Sequence, residues 1–145
     1  MEPRGLRNNN PLNIRKTTTK WQGQVEHLNG RTDKAFCQFR DLKYGYRAAA
    51  KLLLNYQTIH GCRTIRQIIN RWAPPVENNT GMYVHRVVES IHEGGYPYTA
   101  DTPVHLAQDP KLFLRLLMGM HAVENGSRPT AEHLRAAQEG ILMLR

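Results

Sequence analysis

Near its N-terminus the chain reads Arg4-Gly5-Leu6-Arg7-Asn8-Asn9-Asn10-Pro11-Leu12-Asn13-Ile14-Arg15. Asparagine tolerates left-handed backbone and hydrogen-bonds its own main chain, while Pro11 forces Asn10 into an extended conformation. The stretch therefore predicts rigid turns from Asn8 to Leu12 in place of a helix, with Leu12 and Ile14 pointing into a core. Such a loop would present amides and guanidiniums to a polar ligand. The alternative is a frayed terminus.

Several later segments follow this loop in a recognisable order. They are Trp21-Gln22-Gly23, Ala35-Phe36-Cys37-Gln38-Phe39-Arg40, Tyr44-Gly45-Tyr46-Arg47-Ala48-Ala49-Ala50-Lys51-Leu52-Leu53-Leu54 and Arg71-Trp72-Ala73-Pro74-Pro75-Val76-Glu77-Asn78. This order resembles phage and prophage proteins of lysozyme-like type, which share the Asn-Asn-Asn-Pro-x-Asn-Ile-Arg opening and the Arg-Trp-Ala-Pro-Pro-x-Glu-Asn segment. It is more distantly similar to flagellar-type glucosaminidases, which cut peptidoglycan. The resemblance runs from about Arg4 to Ile91, and more loosely to Gly126.

The resemblance implies a lysozyme-like fold and a protein carried in a phage virion. It further implies action at the bacterial periplasm or cell wall, where a glycosidase or lytic transglycosylase would cut peptidoglycan glycan strands to aid genome entry. In such a reaction a general acid protonates the leaving oxygen, and a carboxylate or a positioned water completes the cleavage. The implied partners are glycan strands and other virion proteins, and no cofactor is implied.

Composition limits the classes of partner. The 145 residues fit one domain, residues 1–145, and carry 20 Lys and Arg against 12 Asp and Glu, a net charge of +8. A charge of this sign favours an anionic polymer, and cell wall, nucleic acid and acidic lipid all qualify. No run approaches the roughly 18 apolar residues of a membrane span, and the N-terminus lacks a signal-peptide core, so we expect synthesis in a cytoplasm.

A β-hairpin is predicted between Trp21 and Arg40, with Asn29-Gly30 at its tight turn. Glu26 and Asp33 are carboxylates on its rim, and they are either part of a saccharide site or simply solvated charges. The cysteines, Cys37 in the hairpin and Cys62 beyond the next helix, form neither a disulfide framework nor a zinc pattern. We therefore expect reduced thiols and no metal site.

The remaining pattern is helical. A central helix from Asp41 to His60 should bury Tyr46, Ala50 and Leu53 on one face. Further helices are predicted to begin at Thr64, at Asn79 or Thr80, after Asp109-Pro110, and at Thr130, the last ending at Arg145. The predicted fold class is thus mainly α (α+β), with five to six helices and one small hairpin. The apolar last helix either closes the domain or docks on a neighbouring subunit.

The most apolar helix, which follows Asp109-Pro110, ends at Glu124-Asn125-Gly126. In the proteins that the chain resembles, the general acid stands at the C-terminal end of a buried helix, because a carboxyl near the negative end of the dipole is harder to ionise. There the glutamate precedes the Asn-rich loop, whereas Glu124 follows it. Either the helix is permuted and ends beside the Asn8 to Ile14 loop in space, or the acid is missing and Glu124 belongs to an ordinary helix end with Gly126 as its C′ residue.

Glu77 is the second candidate for the catalytic carboxylate. It lies in the stiff connection Ala73 to Thr80, although an acidic residue before a helix also suits the helix dipole. The candidate substrate-binding residues are Asn8, Asn10, Asn13, Arg15 and Trp21; a tryptophan beside a strand is also an ordinary core residue.

Two other functions remain open at this stage. A non-catalytic virion protein could retain the lysozyme-like shape as a structural or glycan-binding module, since the carboxylates do not occur in the usual order. A nucleic-acid-binding protein is favoured only by the charge of +8, because no run of basic residues with interleaved aromatics is present.

Overall fold

The computed structural model describes residues 2–144; Met1 and the predicted helix end at Arg145 lie outside them. Within residues 2–144 the fold is mainly helical with one small antiparallel hairpin, as predicted. The helices are α1 (Arg4–Arg7), α2 (Leu42–Thr58), α3 (Ile65–Trp72), α4 (Thr80–Glu93), α5 (Pro110–Asn125) and α6 (Ala131–Leu142). The strands are β1 (Gln24–Val25) and β2 (Gln38–Phe39), and a 3-10 turn covers Leu106–Gln108. Among these residues, no helix combines the length and the apolar character needed to cross a membrane.

The N-terminal stretch begins with one helical turn, α1, which the sequence analysis did not predict. The asparagine and proline signals act only from Asn8 onward, so nothing in the sequence prevents a helical turn before them. The predicted turns are confirmed: Asn9 and Asn13 have positive φ angles of 52° and 56°. Leu12 and Ile14 are buried, as expected for a loop that is attached to the core.

The predicted hairpin forms, but its strands are short. The tight turn is confirmed by φ angles of 52° at Asn29 and 77° at Gly30. Only two residues of each strand pair with the other, because the backbone before β2 bonds the N-terminal loop instead: Cys37 N–H donates to Ile14 O at 2.9 Å. Glu26 is exposed, pairs with the exposed Lys20 at 3.1 Å and behaves as a solvated charge.

Helix α2 is central, as predicted. Asp41 caps its first turn, and Tyr46, Ala50 and Leu53 are completely buried. Helix α6 packs directly on α2, since a Cβ on Gly140 would lie 2.9 Å from the carbonyl oxygen of Lys43. The last helix therefore covers the core of its own chain.

Helices α4 and α5 form the other close pair. A Cβ on Gly119 of α5 would lie 3.0 Å from Val87 Cα on α4, so the absence of a side chain there lets the two backbones approach. Asp109 caps α5, and Gly126 ends it with a left-handed φ of 66°. Both helix boundaries agree with the sequence. The C-terminal end of α5 lies at the protein surface beside the N-terminal loop.

A buried histidine joins three helices. His121 of α5 has no exposed surface, its Nδ1 lies 2.7 Å from Tyr46 Oη of α2, and its ring lies 4.6 Å from that of His133 in α6. His133 also completes the capping box of α6 with Thr130. Burial, with a smaller contribution from His133, lowers the pKa of His121 to about 4.

This arrangement predicts acid sensitivity. Because the pKa of His121 is lower in the folded chain than the ordinary 6.5, the unfolded chain binds its proton more readily, and stability is lost as pH falls from about 6.5 toward 4. We expect the free energy of unfolding to fall by about 2 kcal/mol between pH 7 and pH 5 from this group. Urea titrations at pH 7 and at pH 5 measure this difference in the free energy of unfolding. His121→Gln should lose much of this dependence, and an equal dependence in both proteins would contradict the assignment.

Candidate active site

A cleft of about 400 Å³ opens at the C-terminal end of α5. The N-terminal loop and hairpin, the connection from α3 to α4, and the last turn of α5 all line it. Its polar lining comes from Arg4, Asn13, Arg15, Glu77, Asn78 and Glu124, and its aromatic lining from Phe36 and Trp72. The volume lies in the range of ligand-binding pockets.

Glu124 receives hydrogen bonds from three separate segments at this cleft. The Asn13 amide donates to Oε1 at 3.0 Å, and Tyr83 Oη and Trp72 Nε1 approach Oε2 at 2.9 Å and 3.4 Å. The last turn of α5, which carries Glu124, therefore lies beside the Asn8 to Ile14 loop. This is the spatial arrangement that the permuted-helix hypothesis requires.

Neighbouring asparagines hold Asn13 in place. The Asn10 amide donates to Ile14 O and to Cys37 O at 2.9 and 3.0 Å, which fixes the loop against the hairpin. Asn125 donates to Pro11 O at 2.8 Å and so ties the loop to the end of α5. The position of Asn13 opposite Glu124 is thus set by buried hydrogen bonds on both sides.

The structure separates the predicted binding residues into two groups. Asn13 and Arg15 line the cleft. Asn8 and Asn10 are buried and do not line it, because their amides bond Asp33, Gln38 and the loop backbone. Their expected contact with substrate is therefore corrected to a role in shaping the loop.

Trp21 also lies away from the cleft. It is half-buried and packs against the core beside the hairpin, which corresponds to the alternative stated from the sequence. The tryptophan that reaches the cleft is Trp72, at the end of α3. Its spacing with the apolar residues of α3 indicates only a core position, because periodicity reports the buried face of a helix and not the polar atom at the edge of the ring.

Glu77, the second predicted carboxylate, lines the same cleft as Glu124. It is exposed on the connection between α3 and α4, where its N–H donates to Pro74 O at 3.1 Å. The structure thus brings together two carboxylates that are 47 residues apart in the sequence, one held by hydrogen bonds and one facing solvent.

The helical spacing of Tyr83 with the other apolar residues of α4 indicates only a core position, but its hydroxyl also donates a hydrogen bond at the cleft. Burial, together with the nearby charge and hydrogen bond of Glu124, raises the pKa of Tyr83. The hydroxyl therefore stays protonated and donates to the carboxylate at 2.9 Å. Through this hydrogen bond, the buried Tyr83 fixes the orientation of the Glu124 carboxyl.

The fold and cleft define a small, mainly helical protein with a hydrogen-bonded glutamate at a polar cleft. No family model matches the chain. It is 34% identical over 129 residues to Protein P5 of Pseudoalteromonas phage PM2, covering 87% of this chain and 73% of that protein. The chain belongs to the family of this phage protein, and the phage context predicted from its sequence is confirmed.

Proposed function

We propose that this protein is a virion-associated, lysozyme-like enzyme that cleaves β-1,4 glycosidic bonds in peptidoglycan glycan strands. The observation that carries the proposal is the 3.0 Å hydrogen bond between Asn13 and Glu124. It joins the motif of the N-terminal loop to the carboxyl at the end of the most apolar helix. The family relationship to a phage protein supports the biological setting.

Glu124 is the proposed general acid. Its carboxyl stands at the C-terminal end of α5, faces the cleft, and is oriented by Tyr83 and Asn13. Because the carboxyl is already oriented, it can donate a proton to the leaving oxygen of the glycosidic bond without first losing conformational entropy. General acid catalysis contributes roughly a hundredfold or more to the rate.

Glu77 is the proposed second group. As an exposed carboxylate on a stiff connection in the same cleft, it can activate a water that attacks the sugar carbon. Attack by a hydroxyl of the substrate itself would need no second carboxylate. Hydrolysis leaves a reducing sugar end, whereas the internal attack leaves an anhydro sugar.

A second candidate is a non-catalytic virion protein that binds glycan or assembles with other virion proteins. The three donors around Glu124 favour it, since a carboxylate with this many internal partners is also typical of a structural site. In that case the cleft would bind a ligand or a neighbouring protein and would catalyse no reaction.

The test is incubation of the purified chain with purified peptidoglycan sacculi. We expect soluble glycan fragments, whose masses distinguish a reducing end from an anhydro end. Binding to sacculi without any released fragment would overturn the enzymatic proposal and support the non-catalytic candidate. Absence of both binding and release would remove peptidoglycan as the ligand.

A further inference from the structure

Two arginines at the cleft lie against one aromatic ring. The guanidinium carbons of Arg4 and Arg15 are 5.0 Å and 4.7 Å from the centroid of Phe36, and all three residues line the cleft that holds Glu124. Stacking on a ring limits the motion of a guanidinium while leaving its N–H groups free to bond.

The hairpin is built to hold this pair. Asp33 Oδ1 accepts the N–H of Phe36 at 2.9 Å, and its Oδ2 accepts the Asn8 amide at 2.9 Å and lies 3.7 Å from Arg4 Nε. Partial burial opposes the charge of Asp33, but these hydrogen bonds outweigh it and lower its pKa. Asn8 thus supports Arg4 and Phe36 through Asp33, although it does not line the cleft.

Of the two arginines, Arg4 has Asp33 as an ion-pair partner, whereas the charge of Arg15 is not paired in this way. Among the residues that the structure describes, no carboxylate lies within ion-pair distance of Arg15. Eleven of the 20 Lys and Arg but only four of the 12 Asp and Glu fall in residues 2–51, which form the loop, the hairpin and the first half of α2. The local field at the arginines therefore favours an anion.

The carboxylates of the cleft come from the other segments. Glu77 and Glu124 belong to the α3–α4 connection and to α5, so the lining is divided into a basic part and an acidic part. A ligand with an anionic substituent would bind in one orientation, with that substituent at the arginines.

We propose that Arg4 and Arg15, stacked on Phe36, form a subsite for a carboxylate carried by the glycan strand. This inference rests on the proposed function, in which the ligand is peptidoglycan. The carboxylate is the lactyl group of muramic acid or belongs to the attached peptide. Guanidinium groups bind carboxylates with paired N–H donors, so the cleft selects carboxylated glycan over neutral glycan and places the scissile bond near Glu124.

The experiment compares calorimetric binding of four matched tetrasaccharides. These are a neutral N-acetylglucosamine oligomer, a muramyl oligomer with free lactyl carboxylates, the same oligomer amidated, and one with peptides attached. We expect the wild-type chain to bind a carboxylated ligand about tenfold more tightly than the neutral and amidated ones, with the difference shrinking at high salt. If the wild type cuts the ligands, binding is measured with the Glu124→Gln chain.

The matched variants are Arg15→Gln and Arg135→Gln, which remove the same charge. Arg135 is exposed on α6 and does not line the cleft, so its variant should keep the preference, whereas Arg15→Gln should reduce it below about threefold. Arg4→Gln serves if Arg15→Gln shows altered circular dichroism.

The outcomes separate this subsite from the enzymatic proposal. The subsite is overturned, even if the protein cleaves peptidoglycan, when the wild type binds neither the free-lactyl nor the peptide-bearing oligomer more tightly than the amidated and neutral ones. A preference that survives Arg15→Gln and Arg4→Gln also overturns it. A preference lost in these variants of a protein that releases no fragments supports the subsite and overturns the enzyme. The peptide-bearing ligand shows which carboxylate is bound.

Discussion

If the proposed activity is correct, we expect Glu124→Gln to lower the release of soluble fragments from peptidoglycan by about a hundredfold or more. The physical reason is that glutamine cannot donate a proton to the leaving oxygen, although it occupies nearly the same volume. The cost in stability should be only about 1–3 kcal/mol, because Tyr83 and Trp72 can still donate to the amide oxygen. The measurement is fragment release by mass spectrometry, with circular dichroism to verify the fold.

Two other carboxylates are replaced for comparison, one outside the cleft as a control and one inside it. Glu132 is exposed on α6 outside the cleft, so Glu132→Gln makes the same charge change and should leave activity unchanged. Glu77→Gln should lower the rate if Glu77 activates water, and leave it intact if a substrate hydroxyl attacks. Activity above about a tenth of wild type in Glu124→Gln would show that Glu124 is not the acid, since loss of a general acid costs far more.

Gly45→Ala should displace the N-terminal loop from α2 and weaken both stability and activity. A Cβ on Gly45 would lie 2.1 Å from Asn9 O and 2.8 Å from Pro11 Cδ, so the loop backbone itself must move. Alanine favours a helix by about 1 kcal/mol over glycine, but overlap of this kind costs about 1–3 kcal/mol or more. We expect a net loss of about 2 kcal/mol and a Tm lower by roughly 5 °C.

The matched control is Gly81→Ala in α4. Nothing lies within 4 Å of a Cβ built there, so alanine should leave stability unchanged or raise it by up to about 1 kcal/mol. Thermal unfolding of both variants measures the difference. If Gly45→Ala melts like Gly81→Ala and retains activity, then the contact between α2 and the loop does not position Asn13.

Local signals were sufficient for most of the element boundaries. Asp41, Asn79 and Asp109 each accept a backbone N–H in the first turn of the helix that they precede, as their residue types predict. The order Thr64-Ile65-Arg66-Gln67 is typical of a capping box, but only half of the box is present, because the Gln67 side chain accepts the N–H of Arg63 and not that of Thr64. The short strands were also missed, since the hairpin backbone pairs with a distant loop.

The four asparagines of the N-terminal loop show where sequence reasoning ends. All four share the same side chain and the same local preference for turns, and the turns were predicted correctly. Which amide faces the cleft depends on packing against Gly45, the hairpin and α5. Asn13 faces Glu124 while Asn10 is fully buried, and nothing within the motif distinguishes them.

The sequence by itself determined α2 to α6 and the turns, because capping, backbone preference and apolar spacing act between residues a few positions apart. Only the tertiary structure decided that Glu124 meets Asn13, 111 residues earlier in the chain, and that Arg4 and Arg15 share the ring of Phe36. These contacts depend on how α5, α2 and the hairpin pack against one another. Such packing follows from the summed burial of the whole core, which no single segment of the sequence encodes.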